Sequence, residues 1–302
     1  MPKSVLATLA VAVALTGCGG DDKNRNSVTG PDANCIRGTL ASGSSVTGTL
    51  ASGDCAFSSA SVASGRYDGY SVSLTAGEVY QVQLDVTGAN DADLYVELAT
   101  AAGAVIAIGD DKFTQDNFDT ELFFIAPQSG TFTIRAGGYE MVDLGSYRLS
   151  LRGCSATRIT STAAVAGSLS SGDCRSTFTL GADSSFADVF VVANTGTALN
   201  LTVESSVLNP FFLILGPGFA STVTRNRALS SSSGSPAAAT LEGGKLAGDY
   251  LVILTTSGVF GSTGAYTIRR SASLAGFAAR AGLEAPLASE PSLRRGGPPS
   301  KR

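Results

Sequence analysis

Residues Ser45–Cys55 read SVTGTLASGDC, and Ala164–Cys174 read AVAGSLSSGDC. The phrase returns 119 positions later and closes each time on a cysteine. A chain of 302 residues has room for two domains of ordinary size, about 100–150 residues each. Outward from both copies, short apolar-polar segments follow in one order, divided by Gly, Asp and Ser. The phrase reads as the first strand and disulfide anchor of a unit that occurs twice.

In the first unit the clearest segment is Val79–Val86, where Tyr80, Val82, Leu84 and Val86 face one way and Gln81, Gln83 and Asp85 the other. That alternation predicts a strand with one dry side. Similar runs at 70–74, 94–98, 105–108, 122–125, 131–135 and 146–151 give seven or eight strands, the spacing of an antiparallel sandwich. The second unit repeats the order. Asp188-Val189-Phe190 answers Asp68-Gly69-Tyr70, and 199–203 answers 80–84. Phe211–Leu215 answers Leu94–Leu98, 248–252 answers 130–134, and 264–268 answers 145–149. With 36 Gly, no Trp and 15% charged residues, the predicted fold class is all-β: two tandem antiparallel, jelly-roll-like β-sandwich domains over 35–153 and 154–273.

Both ends differ from this pattern. Residues 1–17 carry one Lys, an apolar run from Val5 to Leu15 and a small-residue exit, the layout of a secretory signal. The ending Leu15-Thr16-Gly17-Cys18 resembles the bacterial lipobox, which implies cleavage before Cys18 and lipidation of that cysteine. Gly19 lacks the aspartate that favours inner-membrane retention, so in a two-membrane envelope the expected address is the outer membrane. Residues 18–34 read as a flexible tether, and 274–302 as a disordered basic tail.

Setting Cys18 aside leaves Cys35, Cys55, Cys154 and Cys174, an even number in an exported chain, where disulfides persist. The repeat selects the pairing 35 with 55 and 154 with 174. Each bridge closes about 20 residues, worth roughly 3 kcal/mol by loop-closure entropy. Zinc is the rival use of these thiols, but the chain has no histidine and no CxxC spacing.

The order GTLASGDC, DGYSVSL, TAGEVYQVQL, DADLYVELATAAG, IGDD, PQSGTFTIRAGG and GSYRLSL resembles the bacterial pre-peptidase C-terminal domain in its cysteine-bearing variant, across nearly all of 35–153. The second unit is similar but degenerate: Asn209-Pro210-Phe211 stands near the place of Asp91-Ala92-Asp93-Leu94, and nothing answers Asp110-Asp111. The resemblance implies compact sandwiches that serve localisation, secretion or substrate binding beside secreted peptidases. Some related sandwiches bind calcium or collagen.

Without histidine there is no Ser-His-Asp or Cys-His triad and no HExxH zinc site. No GxSxG elbow and no P-loop occurs, so no enzyme is expected. Charge separates the units: 14 Asp plus Glu against 6 Lys plus Arg in 35–153, a net of −8, and 6 against 7 in 154–273, a net of +1. The first unit gathers Asp91, Asp93, Asp110, Asp111, Asp116, Asp119 and Glu121. Asp91, Asp93, Asp110 and Asp111 are the candidate ligands of a hard cation such as calcium, which takes several oxygens. Solvated turns, where Asp bonds nearby amides, are the competing reading. Tyr67, Tyr95 and Phe118 form a second candidate surface for sugars or protein partners, against the plainer alternative of packing under loops or between the units.

The sequence thus predicts a non-catalytic, lipid-anchored protein of the cell envelope that binds or spaces at the surface. The membrane is met through the anchor, an unidentified protein or polysaccharide is the ligand, and nucleic acid is excluded by the charge of the first unit. The alternatives are an accessory or remnant of a secreted peptidase system, and a hydrolase with an unfamiliar carboxylate site.

Overall fold

The computed structural model describes residues 33–57, 64–88, 92–110, 119–176, 185–196, 199–216, 223–226, 237–241, 247–256 and 263–271. Cys18 with its signal, the tether up to residue 32, the tail, and Asp91, Asp111, Asp116 and Phe118 lie outside them.

Unit one contains β1 (Ile36–Thr39), β2 (Ser44–Leu50), β3 (Cys55–Phe57), β4 (Gly65–Leu74), β5 (Val79–Val86), β6 (Leu94–Thr100), β7 (Val105–Gly109), β8 (Thr120–Ile125), β9 (Gly130–Gly138) and β10 (Gly145–Cys154). Unit two contains β11 (Ala156–Ile159), β12 (Val165–Leu169), β13 (Cys174–Ser176), β14 (Ser185–Thr195), β15 (Leu199–Glu204), β16 (Pro210–Leu215), β17 (Val223–Asn226), β18 (Ala237–Leu241), β19 (Ala247–Thr256) and β20 (Gly264–Ser271). In unit one a six-stranded sheet runs β1-β4-β9-β6-β7 with β3 beside β4, and it faces a four-stranded sheet β2-β10-β5-β8. Unit two repeats that order strand for strand. The all-β class and the sandwich architecture are therefore as the sequence predicts.

The structure corrects the reading in three places. The repeated phrase is the second strand, not the first, because Ile36–Thr39 and Ala156–Ile159 precede it. Those two leading strands pair in parallel with β4 and β14, so neither unit is wholly antiparallel. Four residues carry too little alternation to be read as a strand. The third correction concerns β16. Ile134 faces Leu98 and Tyr70, while Val252 faces Ile214 and Phe190, so Ile214 rather than Leu215 answers Leu98. A slip of one residue exchanges the two faces of a strand. The core accordingly takes Phe212 and Ile214 in unit two where it takes Val96 and Leu98 in unit one.

Four positions of the phrase have a structural reason. Gly48 lies opposite Tyr147, and Gly167 opposite Tyr266. A Cβ on either glycine would run into the tyrosine ring. Leu50 and Leu169 enter the two cores. Asp54 and Asp173 accept the N–H of Ala51 and Ser170 at 2.6 Å and so close the turn. The cysteines then bond, Cys35 with Cys55 and Cys154 with Cys174, the pairing the repeat selects.

A further apolar cluster joins the units. Val79 and Phe123 of unit one pack with Ala187, Val189, Val191, Leu213, Leu215, Leu251 and Ile253 of unit two, and with Cys154 and Cys174. The four-stranded sheet of unit one therefore turns its outer face onto the six-stranded sheet of unit two. Only Ser155 separates the end of β10 from the start of β11. The side of β5 read as wet is thus partly dry: Gln81 is buried at the junction, where it donates to Glu121 and to the Arg175 carbonyl. Ser176 donates to the other oxygen of Glu121 at 3.3 Å.

Candidate functional site

A polar constellation of bonded side chains lies under the repeated phrase. In unit one Asp68, on β4, accepts the Tyr147 hydroxyl on Oδ2 at 2.7 Å and Arg37 Nε on Oδ1 at 2.5 Å. Arg37 also donates from Nη2 to Oδ1 of Asp54, whose carbonyl receives Arg66. Tyr70 and Tyr147 hydroxyls share a 2.8 Å bond. Arg37 reaches both carboxylates from the bulge between Ile36 and Gly38, where the register of β1 against β4 shifts. Burial pushes the Tyr147 phenol far up, and its bonds to Tyr70 and Asp68 push it further. Its bond with Asp68 holds the Arg37 guanidinium above its ordinary value. Tyr147 is therefore a neutral donor at every physiological pH, and Arg37 a permanent cation.

Unit two keeps part of this. Tyr266 donates to Oδ2 of Asp188, and burial with that bond likewise raises the phenol. Phe190 replaces Tyr70 and packs edge-on to Tyr266. Two residues past the first cysteine, where unit one has Arg37, stands the exposed Ala156. The Asp188 carboxyl is raised by burial; the Tyr266 bond opposes that rise and the charge of Asp173 adds to it.

A second polar group occupies the outer face of the six-stranded sheet in unit one. Glu97, wholly buried, pairs with Arg135 at 2.9 Å, and Arg135 lies over the Tyr67 ring at 5.3 Å. Phe57 stacks on Tyr95 and meets Tyr67 edge-on. Tyr67 and Tyr95, the candidate binding aromatics, are therefore packed within the fold, the plainer of the two alternatives. Sequence reasoning missed Glu97 and Arg135; their signal is that both sit on the polar phase of alternating strands and face each other in register.

Of the acidic group, Asp93 is half-buried at the start of β6 and Asp110 is exposed past the end of β7. Because Val96 pairs with Gly109, both lie at one end of the sheet. Asp119 accepts the Val86 N–H at 2.6 Å, and Glu121 belongs to the junction. Among the described residues no group of three or more Asp, Glu, Cys or His is arranged to hold a metal.

No family model and no curated protein sequence matches the chain. Among solved structures it is similar to the pre-peptidase C-terminal domain of a collagenase from Bacillus anthracis, at 16% identity and TM-score 0.28, over 40% of this chain and 98% of that one. It is also similar to the CUB1-EGF-CUB2 domain of human MASP-1/3, at 11% identity and TM-score 0.21, over 75% and 99%. A putative secreted protein from Eubacterium rectale follows at 10% identity and TM-score 0.21, over 68% of each. Likenesses this distant assign no activity.

Proposed function

We propose that the chain is an exported, lipid-anchored protein of the cell envelope, carrying two tandem domains of the pre-peptidase C-terminal type that serve binding or spacing at the surface without catalysis. The observation that carries this reading is the junction. With one residue between β10 and β11 and a shared apolar cluster, the two sandwiches form a stiff block rather than beads on a string. Two disulfides suit an oxidising compartment outside the cytoplasm. The tyrosines and carboxylates that lie closest together hold strands to one another, with the phenols locked neutral, which suits a scaffold better than acid-base chemistry. A short tether from a lipidated Cys18 would hold that block at the outer membrane.

Calcium at Asp91, Asp93, Asp110 and Asp111 is the ligand-binding half of this reading, supported by the shared sheet end of Asp93 and Asp110.

Mass analysis of the mature N-terminus tests the anchor. The expected product begins at a diacylglyceryl-modified Cys18, and Cys18→Ser shifts the protein from the membrane to the soluble fraction. An unmodified Cys18 contradicts it. A melting temperature unchanged between millimolar calcium and chelator removes the ion while leaving the anchor standing.

A further inference from the structure

The two carboxylates that grip Arg37 in unit one are present in unit two without their arginine. Asp54 and Asp68 answer Asp173 and Asp188: each pair sits just before the second cysteine and on the strand that follows it. Oδ2 of each residue receives the same bond in both units, from Ala51 or Ser170 N–H in the turn and from the Tyr147 or Tyr266 hydroxyl. In unit one Oδ1 of both binds the guanidinium of Arg37, Nε on Asp68 and Nη2 on Asp54. In unit two the corresponding residue, Ala156, ends in a methyl group and is exposed.

Asp54 and Asp68 are 9% and 3% exposed beneath Arg37, whereas Asp173 and Asp188 are both only half-buried, so the space over them opens to solvent. The arginines of this region have other partners: Arg158 on β11 bonds Asp249 at 2.8 and 2.6 Å, Arg152 donates to the Gly172 carbonyl at 3.0 Å, and Arg175 lies over the Phe186 ring at 4.9 Å. The proximity of Asp173 is felt by Asp188, whose carboxyl its charge raises.

We propose that Asp173 and Asp188 form a surface site for a guanidinium group supplied from outside unit two, the arginine side chain of a partner polypeptide. The warrant is internal: the same two carboxylates, held by the same turn and the same tyrosine, already bind a guanidinium in the other copy. A planar fork with several donors bridges two separate carboxylates in a way that a compact ammonium cannot. The site is independent of the lipid anchor and of the acidic loops of unit one.

The test is thermal melting of the full chain with methylguanidinium chloride at millimolar concentration, against equal potassium chloride and methylammonium chloride. The expected result is a saturable rise in melting temperature with methylguanidinium that exceeds the methylammonium response and disappears in Asp188→Asn. Ala156→Arg should supply the group in cis, raise the melting temperature unaided and abolish the response. If that variant does not fold, Asp173→Asn serves instead, because an asparagine keeps the turn bond while removing the charge; the rise must be lost there too. No saturable rise, or an equal rise in Asp188→Asn, overturns the proposal. A rise with calcium alone that Asp188→Asn removes also overturns it, because the occupant is then a metal ion.

Discussion

On the outer face of the six-stranded sheet, unit one carries Glu97 opposite Arg135, and unit two carries Leu213 opposite Ile253 at the same places in the same strand order. Tyr67 and Thr133 likewise give way to Ala187 and Leu251. The difference follows from what covers each face. In unit two the covering is unit one itself, whose Val79 and Phe123 bring no charge to match, so the face is apolar. In unit one the charges answer one another within the sheet, with Tyr67 beneath Arg135. One sheet has thus been kept as an end face and its copy converted into a docking face, as terminal and internal members of a repeat array differ.

The largest expected effect comes from breaking the end face. Glu97→Ala leaves Arg135 buried without its partner and should cost about 3–5 kcal/mol in urea unfolding. Installing the residues of unit two, Glu97→Leu with Arg135→Ile, should recover most of that loss, because apolar replacement of a complete buried pair is often neutral or favourable. If the double variant is as unstable as the single one, the two faces are not interchangeable.

A smaller effect sharpens the comparison inside the cores. Gly48→Ala pushes against the Tyr147 ring and should cost about 1–3 kcal/mol as overpacking does. Gly167→Ala should cost less, because Tyr147 holds both Asp68 and Tyr70 whereas Tyr266 faces Phe190 where unit one has a hydroxyl. Unfolding of the two variants under one condition gives the ranking.

The smallest effect is in pH. The folded-state pKa of Asp188 lies above its unfolded value, so the folded chain holds that proton more tightly and this group adds stability as pH falls through the folded pKa. At neutral pH its ionised form opposes folding. Asp188→Asn should therefore match or exceed the wild-type stability at pH 7, and the difference should vanish towards acid. A difference that grows on acidification contradicts the assignment.

Much of this was legible in the letters. The phrase gave the duplication and the disulfide pairing, and alternation located β5 to its terminal residues. The docking face carries a different signal, one that a search for alternation passes over. Tyr250-Leu251-Val252-Ile253-Leu254 and Phe212-Leu213-Ile214-Leu215 are unbroken apolar runs, the mark of strands covered on both sides, where unit one alternates. Those same runs obscured the register of β16, because a strand without alternation has no phase to read. Gln81 and Glu121 were not legible, since a buried amide beside a carboxylate looks in sequence like any wet face. Arg37 was hidden in a bulge, which no period describes.

Scanning calorimetry of the intact protein tests the central claim, that the copies are welded through that converted face. The account predicts one cooperative transition with equal calorimetric and van't Hoff enthalpies, split into two by Phe123→Asp. Two independent transitions in the unaltered chain would contradict it.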